Sequence, residues 1–224
     1  MPEKRSTFSD LEPQELAKHL RKPNGEKGKK VGQQMNKGNK YICMNSYKVL
    51  APSKNDVILE IGMGNGLFIK DLLVMTENLS YIGVDFSETM IQEASEINID
   101  FIKQEIVNFK EASIENLPFK DNHFNLITTT NTLYFWPNPI ENIKELLRVL
   151  KPNGKLLVAY RSKSCMDQIE LSKYGFEKYE KEDVESLFKT ARFTQVTTKM
   201  IEEPELDFDG KMFKMKGLYT TGIK

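Results

Sequence analysis

Cysteine and histidine are scarce: Cys43, Cys165, His19 and His123 are the full complement in 224 residues. Two such widely separated cysteines supply neither a disulfide framework nor a zinc-ligand cluster, and they suit a reducing, cytoplasmic setting. No metal centre is expected. Long hydrophobic runs are also missing, and Met1 to Asp10 is polar, without the apolar stretch of a signal peptide. These features predict a soluble protein with no membrane partner. Net charge is absent too, since 32 Lys and Arg balance 32 Asp and Glu. That balance removes the electrostatic case for nucleic acid as the main partner. There is no internal repeat, and the length suits one substantial domain, alone or with an extension.

The informative stretch is 57 to 66, Val-Ile-Leu-Glu-Ile-Gly-Met-Gly-Asn-Gly. Val57 to Ile61 form a short apolar run ending at a glycine, the pattern of a strand buried in a parallel sheet. Gly62, Gly64 and Gly66 allow a sharp turn and close approach of a ligand to backbone. Phe68, Ile69, Leu72 and Leu73 then recur at helical spacing. A second apolar run, Tyr81 to Val84, ends in Asp85, a carboxylate placed at a strand's carboxyl end to accept hydrogen bonds from a ribose diol.

Spacing separates two cofactor classes. The dinucleotide fingerprint G-x-G-x-x-G needs its third glycine at position 67, where this chain has Leu67. Glu60 would also repel a pyrophosphate lying against the loop, whereas it suits a ligand with a cationic amino-acid end. The Glu-x-Gly-x-Gly-x-Gly string at 60 to 66 resembles the first motif of class I S-adenosylmethionine (SAM)-dependent methyltransferases. Leu117-Pro118-Phe119, before a predicted strand at Phe124 to Thr129, is similar to the corresponding turn in small-molecule methyltransferases of the ubiquinone and menaquinone biosynthesis type. The resemblance is strongest from about residue 55 to 160.

The resemblance implies an α/β, Rossmann-like fold: a mostly parallel seven-stranded sheet with helices on both faces, an antiparallel last strand and an N-terminal helical lid. Residues 1–50 would be the lid and 51–224 the SAM-dependent methyltransferase domain. SAM would be the cofactor and S-adenosylhomocysteine the product, held by Glu60, Gly62, Gly64, Asn65, Gly66, Asp85, Phe86, Met90, Glu111, Ala112 and Asn131. Glu111 and Ala112 would meet the adenine at the end of strand three, Ile106 to Lys110. A small-molecule methyl acceptor would lie against Met35, Asn36, Asn39, Tyr41, Tyr134, Trp136 and Arg161. No residue stands out as a catalytic base, and neither acceptor nor oligomeric state is specified. Two other readings stay open: a non-catalytic SAM-binding module, and a nicotinamide-dependent oxidoreductase, against which the missing glycine and the lack of a Tyr-x-x-x-Lys set argue.

Further elements follow from periodicity. Helices are expected over Leu11 to Leu20 and Met35 to Leu50. The Lys-, Gly- and Asn-rich residues 21 to 40 read either as a solvated linker or as a mobile lid. Ser87 caps a helix running through Ile102, Pro139 opens one to Leu150, and Leu156 to Tyr160 is a fifth strand. Glu182 to Ala191 reads as a helix between two closing strands, Phe193 to Lys199 and Lys211 to Thr220.

Overall fold

A computed structural model describes residues 11–208 and 211–224; the polar residues 1–10 lie outside the described residues. Two helices come first, α1 (Pro13–Arg21) and the 26-residue α2 (Gly25–Leu50). Strands and helices then alternate: β1 (Val57–Ile61), α3 (Ile69–Leu73), β2 (Ser80–Asp85), α4 (Glu88–Ile97), α5 (Ile99–Lys103), β3 (Val107–Glu111), β4 (Phe124–Thr130), α6 (Pro139–Val149) and β5 (Leu150–Tyr160). The chain closes with α7 (Lys163–Met166), α8 (Lys181–Thr190), β6 (Thr194–Glu202), β7 (Leu206–Phe208), β8 (Lys211–Phe213) and β9 (Lys216–Ile223).

Seven strands form one sheet in the order β3-β2-β1-β4-β5-β9-β6. All pairings are parallel except those of β9, which runs antiparallel to both β5 and β6. The Rossmann-like, mostly parallel architecture predicted by the sequence is therefore present. Alternate strand residues feed two cores, because successive side chains point to opposite faces. Leu59 and Ile61 of β1, with Leu156, Val158 and Tyr160 of β5, pack on one face. Ile58, Leu157 and Ala159 pack on the other, with Ile42, Tyr47 and Leu50 of α2. Both faces are covered, which is why the strands read as continuous apolar runs. The strand order reverses between β1 and β4, opening a crevice at their carboxyl ends.

Three local expectations need correction. Residues 25–40 are not a linker, since α2 is helical from Gly25 onward. The helix starting after Ser87 is interrupted at Asn98, whose side-chain Nδ2 donates to the carbonyls of Gly66 and Ala94. The last strand is Lys216–Ile223 rather than 211 to 220; Lys211–Phe213 pairs instead with Leu206–Phe208 in a separate ribbon. The cap read from sequence at Ser87 is present, its Oγ accepting from Met90 N, and Pro139 opens α6 as expected, with Asn138 ahead of it accepting from Glu141 N.

Candidate functional site

The turn after β1 is built on left-handed backbone. Gly62, Gly64 and Gly66 have φ of +68°, +59° and +66°, a region costly for residues bearing a Cβ. Their surroundings differ. A Cβ on Gly62 would collide with Thr132 Cγ2, and one on Gly66 would meet Asn98 Nδ2 and Ile69 Cδ1 at 2.9 Å. A Cβ on Gly64 would meet nothing within 4 Å. Gly64 is therefore the glycine whose missing side chain leaves open space, while Gly66 permits close packing beneath the loop.

Two buried carboxylates flank this turn. Asp85 Oδ2 accepts from Gly64 N at 3.2 Å and Oδ1 from Ser87 N at 2.9 Å. Burial nonetheless pushes its pKa up to about 6, the backbone donors offsetting only part of the desolvation. Glu60 is raised to about 7 by burial, against the opposing effect of hydrogen bonds from Tyr81 and Tyr47. Both hydroxyls donate to Oε2, at 2.9 and 3.0 Å. Oε1 has no hydrogen-bond partner among the described residues.

Both acids line a cavity of about 280 Å³ at the carboxyl edge of the sheet. Its floor is the loop from Gly62 to Asn65 with Asp85, Phe86 and Met90. One end is closed by Ala112 to Glu115 and another by Asn131, Thr132, Phe135 and Trp136. Helix α2 is the roof, presenting Gly32, Met35, Asn36, Asn39 and Cys43. It is fastened at several points. Tyr47 reaches Glu60, Ser46 Oγ lies 3.1 Å from Thr130 Oγ1, and Asn131 Nδ2 donates to Asn39 Oδ1 at 3.0 Å. The α1–α2 turn is tied to α4, where Ser87 Oγ donates to Pro23 O and Gly25 N donates to Thr89 Oγ1.

The cavity brings together Glu60, Gly62, Gly64, Asn65, Asp85, Phe86, Met90, Ala112 and Asn131, along with Met35, Asn36, Asn39 and Trp136. It leaves out five expected residues. Gly66 packs against Asn98, as described above. Glu111 is exposed and off the wall, with Ala112 to Glu115 curving past the cavity in its place. Tyr41 is on α2 but absent from the wall. Tyr134 is buried, its hydroxyl donating to Asn131 Oδ1 and accepting from Arg161 N. Arg161 is buried too, engaged by both Glu203 oxygens and the Gly38 carbonyl, and unavailable to an acidic ligand. Residues not anticipated include Cys43 and the Leu20, Arg21 and Pro23 edge of the roof. Cys43 was legible in principle, since it shares a helical face with the expected Met35, Asn36 and Asn39.

Residues 59–158 match the family model described as a methyltransferase domain. This region is similar to methyltransferase domains. It shares 31% identity over 126 residues with UbiE, a ubiquinone/menaquinone biosynthesis C-methyltransferase of Rickettsia typhi, covering 54% of this chain and 51% of that protein. A tRNA U34 carboxymethyltransferase of Nautilia profundicola is 32% identical over 118 residues, 53% of this chain and 38% of its own. The chain spans about half the length of the curated relatives it matches, 62%, 51% and 41% for three of them. In fold, the matched region and its flanking elements resemble a SAM-dependent methyltransferase from Aquifex aeolicus. The TM-score is 0.61 and the identity 18%, over 94% of this chain and 98% of that one.

Proposed function

We propose that this chain transfers a methyl group from SAM to a small-molecule acceptor enclosed beneath α2, with residues 1–50 acting as the lid and 51–224 as the methyltransferase domain. The observation that carries this reading is the pair of buried acids, Glu60 and Asp85, on either side of the open space at Gly64 in one cavity. The cavity suits SAM in each of its parts. Asp85 has lone pairs left to accept from the ribose hydroxyls. Ala112 and Ser113 line the cavity at the proposed adenine end. The unpartnered Oε1 of Glu60 suits the cationic amino-acid end, with Asn131 and Asn39 beside it as polar neighbours.

When bound, SAM supplies a methyl group activated by its sulfonium, so the protein's own task is alignment and exclusion of water. The fastened roof performs the exclusion. Phe135 and Trp136 give the acceptor end an aromatic wall with defined shape. Neither His19 nor His123 lines the cavity. The Cys43 thiol does, but burial pushes its pKa far up, keeping it protonated and unsuited to act as a base. An acceptor that carries its own nucleophilic carbon or amine fits this set.

The relatives are named for a quinone pathway and for a tRNA nucleotide, and enclosure beneath a helix favours the smaller acceptor. Titration calorimetry with SAM, S-adenosylhomocysteine and NAD, followed by methyl-transfer assays on small-molecule extracts with isotope-labelled SAM, tests the proposal. Micromolar binding of SAM and its product, with label entering an extract component, is expected. Binding of NAD without SAM would overturn the donor assignment, and SAM binding without transfer to any small molecule would favour a non-catalytic module.

A further inference from the structure

The zero net charge of the chain is a cancellation between unlike parts. Residues 11–50 carry nine Lys and Arg against three Glu, and the remainder holds the matching excess of acids. On α2 that excess is ordered. Lys30, Lys37, Lys40 and Lys48 are all exposed, and at 3.6 residues per turn they fall within about 80° of arc and span about 27 Å. Lys30, Lys37 and Lys48 lie opposite Gly32, Met35, Asn39 and Cys43, which face the cavity, and Lys40 lies on the flank nearest Asn36.

The acids nearby are already engaged. Glu15 pairs with Lys27 at 2.8 Å and Glu26 with Lys29 at 3.9 Å. The four stripe lysines have no ion-pair partner among the described residues. At the α1–α2 turn the basic surface continues through Arg21, on the cavity edge, and Lys22, whose Nζ lies 5.2 Å from the centre of the Phe86 ring. Helix stability does not explain the stripe. Lys37 and Lys40 stand three residues apart, a spacing at which like charges repel.

We propose that the outward face of α2 docks the phosphate backbone of a nucleic acid. A row of lysines uninterrupted by acids matches a line of phosphates and gains from counterion release. The alternative polyanion, an anionic lipid surface, is favoured by apolar side chains inserted beside the lysines. Among the described residues, no exposed large hydrophobic side chain belongs to α1 or α2. The proposal does not depend on the acceptor, because the stripe lies on the side of α2 away from the cavity.

Fluorescence anisotropy with labelled single-stranded RNA and labelled duplex DNA tests it, on the full chain and on the variant carrying Lys30→Glu, Lys37→Glu, Lys40→Glu and Lys48→Glu. Engagement of four phosphates predicts that log K falls with log salt at a slope of roughly −3. The variant should lose at least about tenfold in affinity and show a shallower slope, while its thermal melt and its calorimetric SAM titration stay as in the parent. Absence of binding to both probes at low salt would overturn the proposal. So would equal binding by parent and variant, or binding by the parent to phosphatidylserine vesicles in preference to both nucleic acids. The SAM titration reports on the donor site separately, so failure of the docking surface is distinguishable from failure of the proposed function.

Discussion

Glu60 and Asp85 carry most of what the sequence reveals about the site, and they are legible because each sits at the end of an apolar run, where strand geometry fixes its position. The misplaced residues depend on turns that no local pattern announces. The short 3-10 turn at Leu133–Phe135 sends Phe135 and Trp136 toward the cavity and Tyr134 inward. Arg161 meets a partner 42 residues later in sequence, Glu203, which only the return of β6 beside β9 brings close. The burial of Glu60 has a measurable consequence. Its carboxyl has an ordinary value of 4.5 and a folded value of about 7, so between these the folded state holds the extra proton. Stability of the ligand-free protein should therefore fall as pH rises through that window, by on the order of 3 kcal/mol. A cationic ligand end favours the ionised carboxylate, so donor affinity should rise over the same range. Glu60→Gln keeps an acceptor for Tyr47 and Tyr81 and should reduce both dependences in denaturant melts and calorimetry across pH, chiefly above the Asp85 value of about 6. Unchanged slopes would show that another group governs them.

At the scale of elements, α2 is where sequence and structure part. Glycine disfavours a helix by about 1 kcal/mol relative to alanine, so Gly25, Gly28 and Gly32 among lysines suggest a linker. In the folded chain two of these glycines permit close contacts instead: a Cβ on Gly28 would meet the Pro23 backbone at 2.7 Å, and one on Gly32 would meet Met90 at 3.0 Å. Tertiary packing thus overrides propensity, and it ties the roof to α4. The buried Arg161–Glu203 pair holds the middle of the same helix through the Gly38 carbonyl. Arg161→Met would leave Glu203 buried without its partner, a loss of about 3 to 5 kcal/mol. Hydrogen exchange should then accelerate first in the middle of α2, around Gly38. Uniform acceleration across the sheet, with α2 no different, would contradict a role in fastening the roof.

For the whole molecule, apolar runs and helical periodicities announce the strands and helices from β1 to β5, while their arrangement as a mostly parallel seven-stranded sheet follows from the resemblance; the β3 to β4 connection crosses β2 and β1 without a helix. The closing region was less legible, since the register of β9 between β5 and β6 depends on pairing with strands distant in sequence. What the fold achieves is placement: strand order reverses between β1 and β4, and the crevice there holds both buried acids beneath one helix. The central claim is that this crevice binds SAM, with its ribose at Asp85 and its amino-acid end near Glu60 under α2. A crystal structure of the complex with S-adenosylhomocysteine measures this directly. The ribose hydroxyls should lie within hydrogen-bond distance of the Asp85 carboxylate, with the homocysteine end between Glu60 and Asn39. A ligand bound outside the cavity, or a ribose turned away from Asp85, would contradict it.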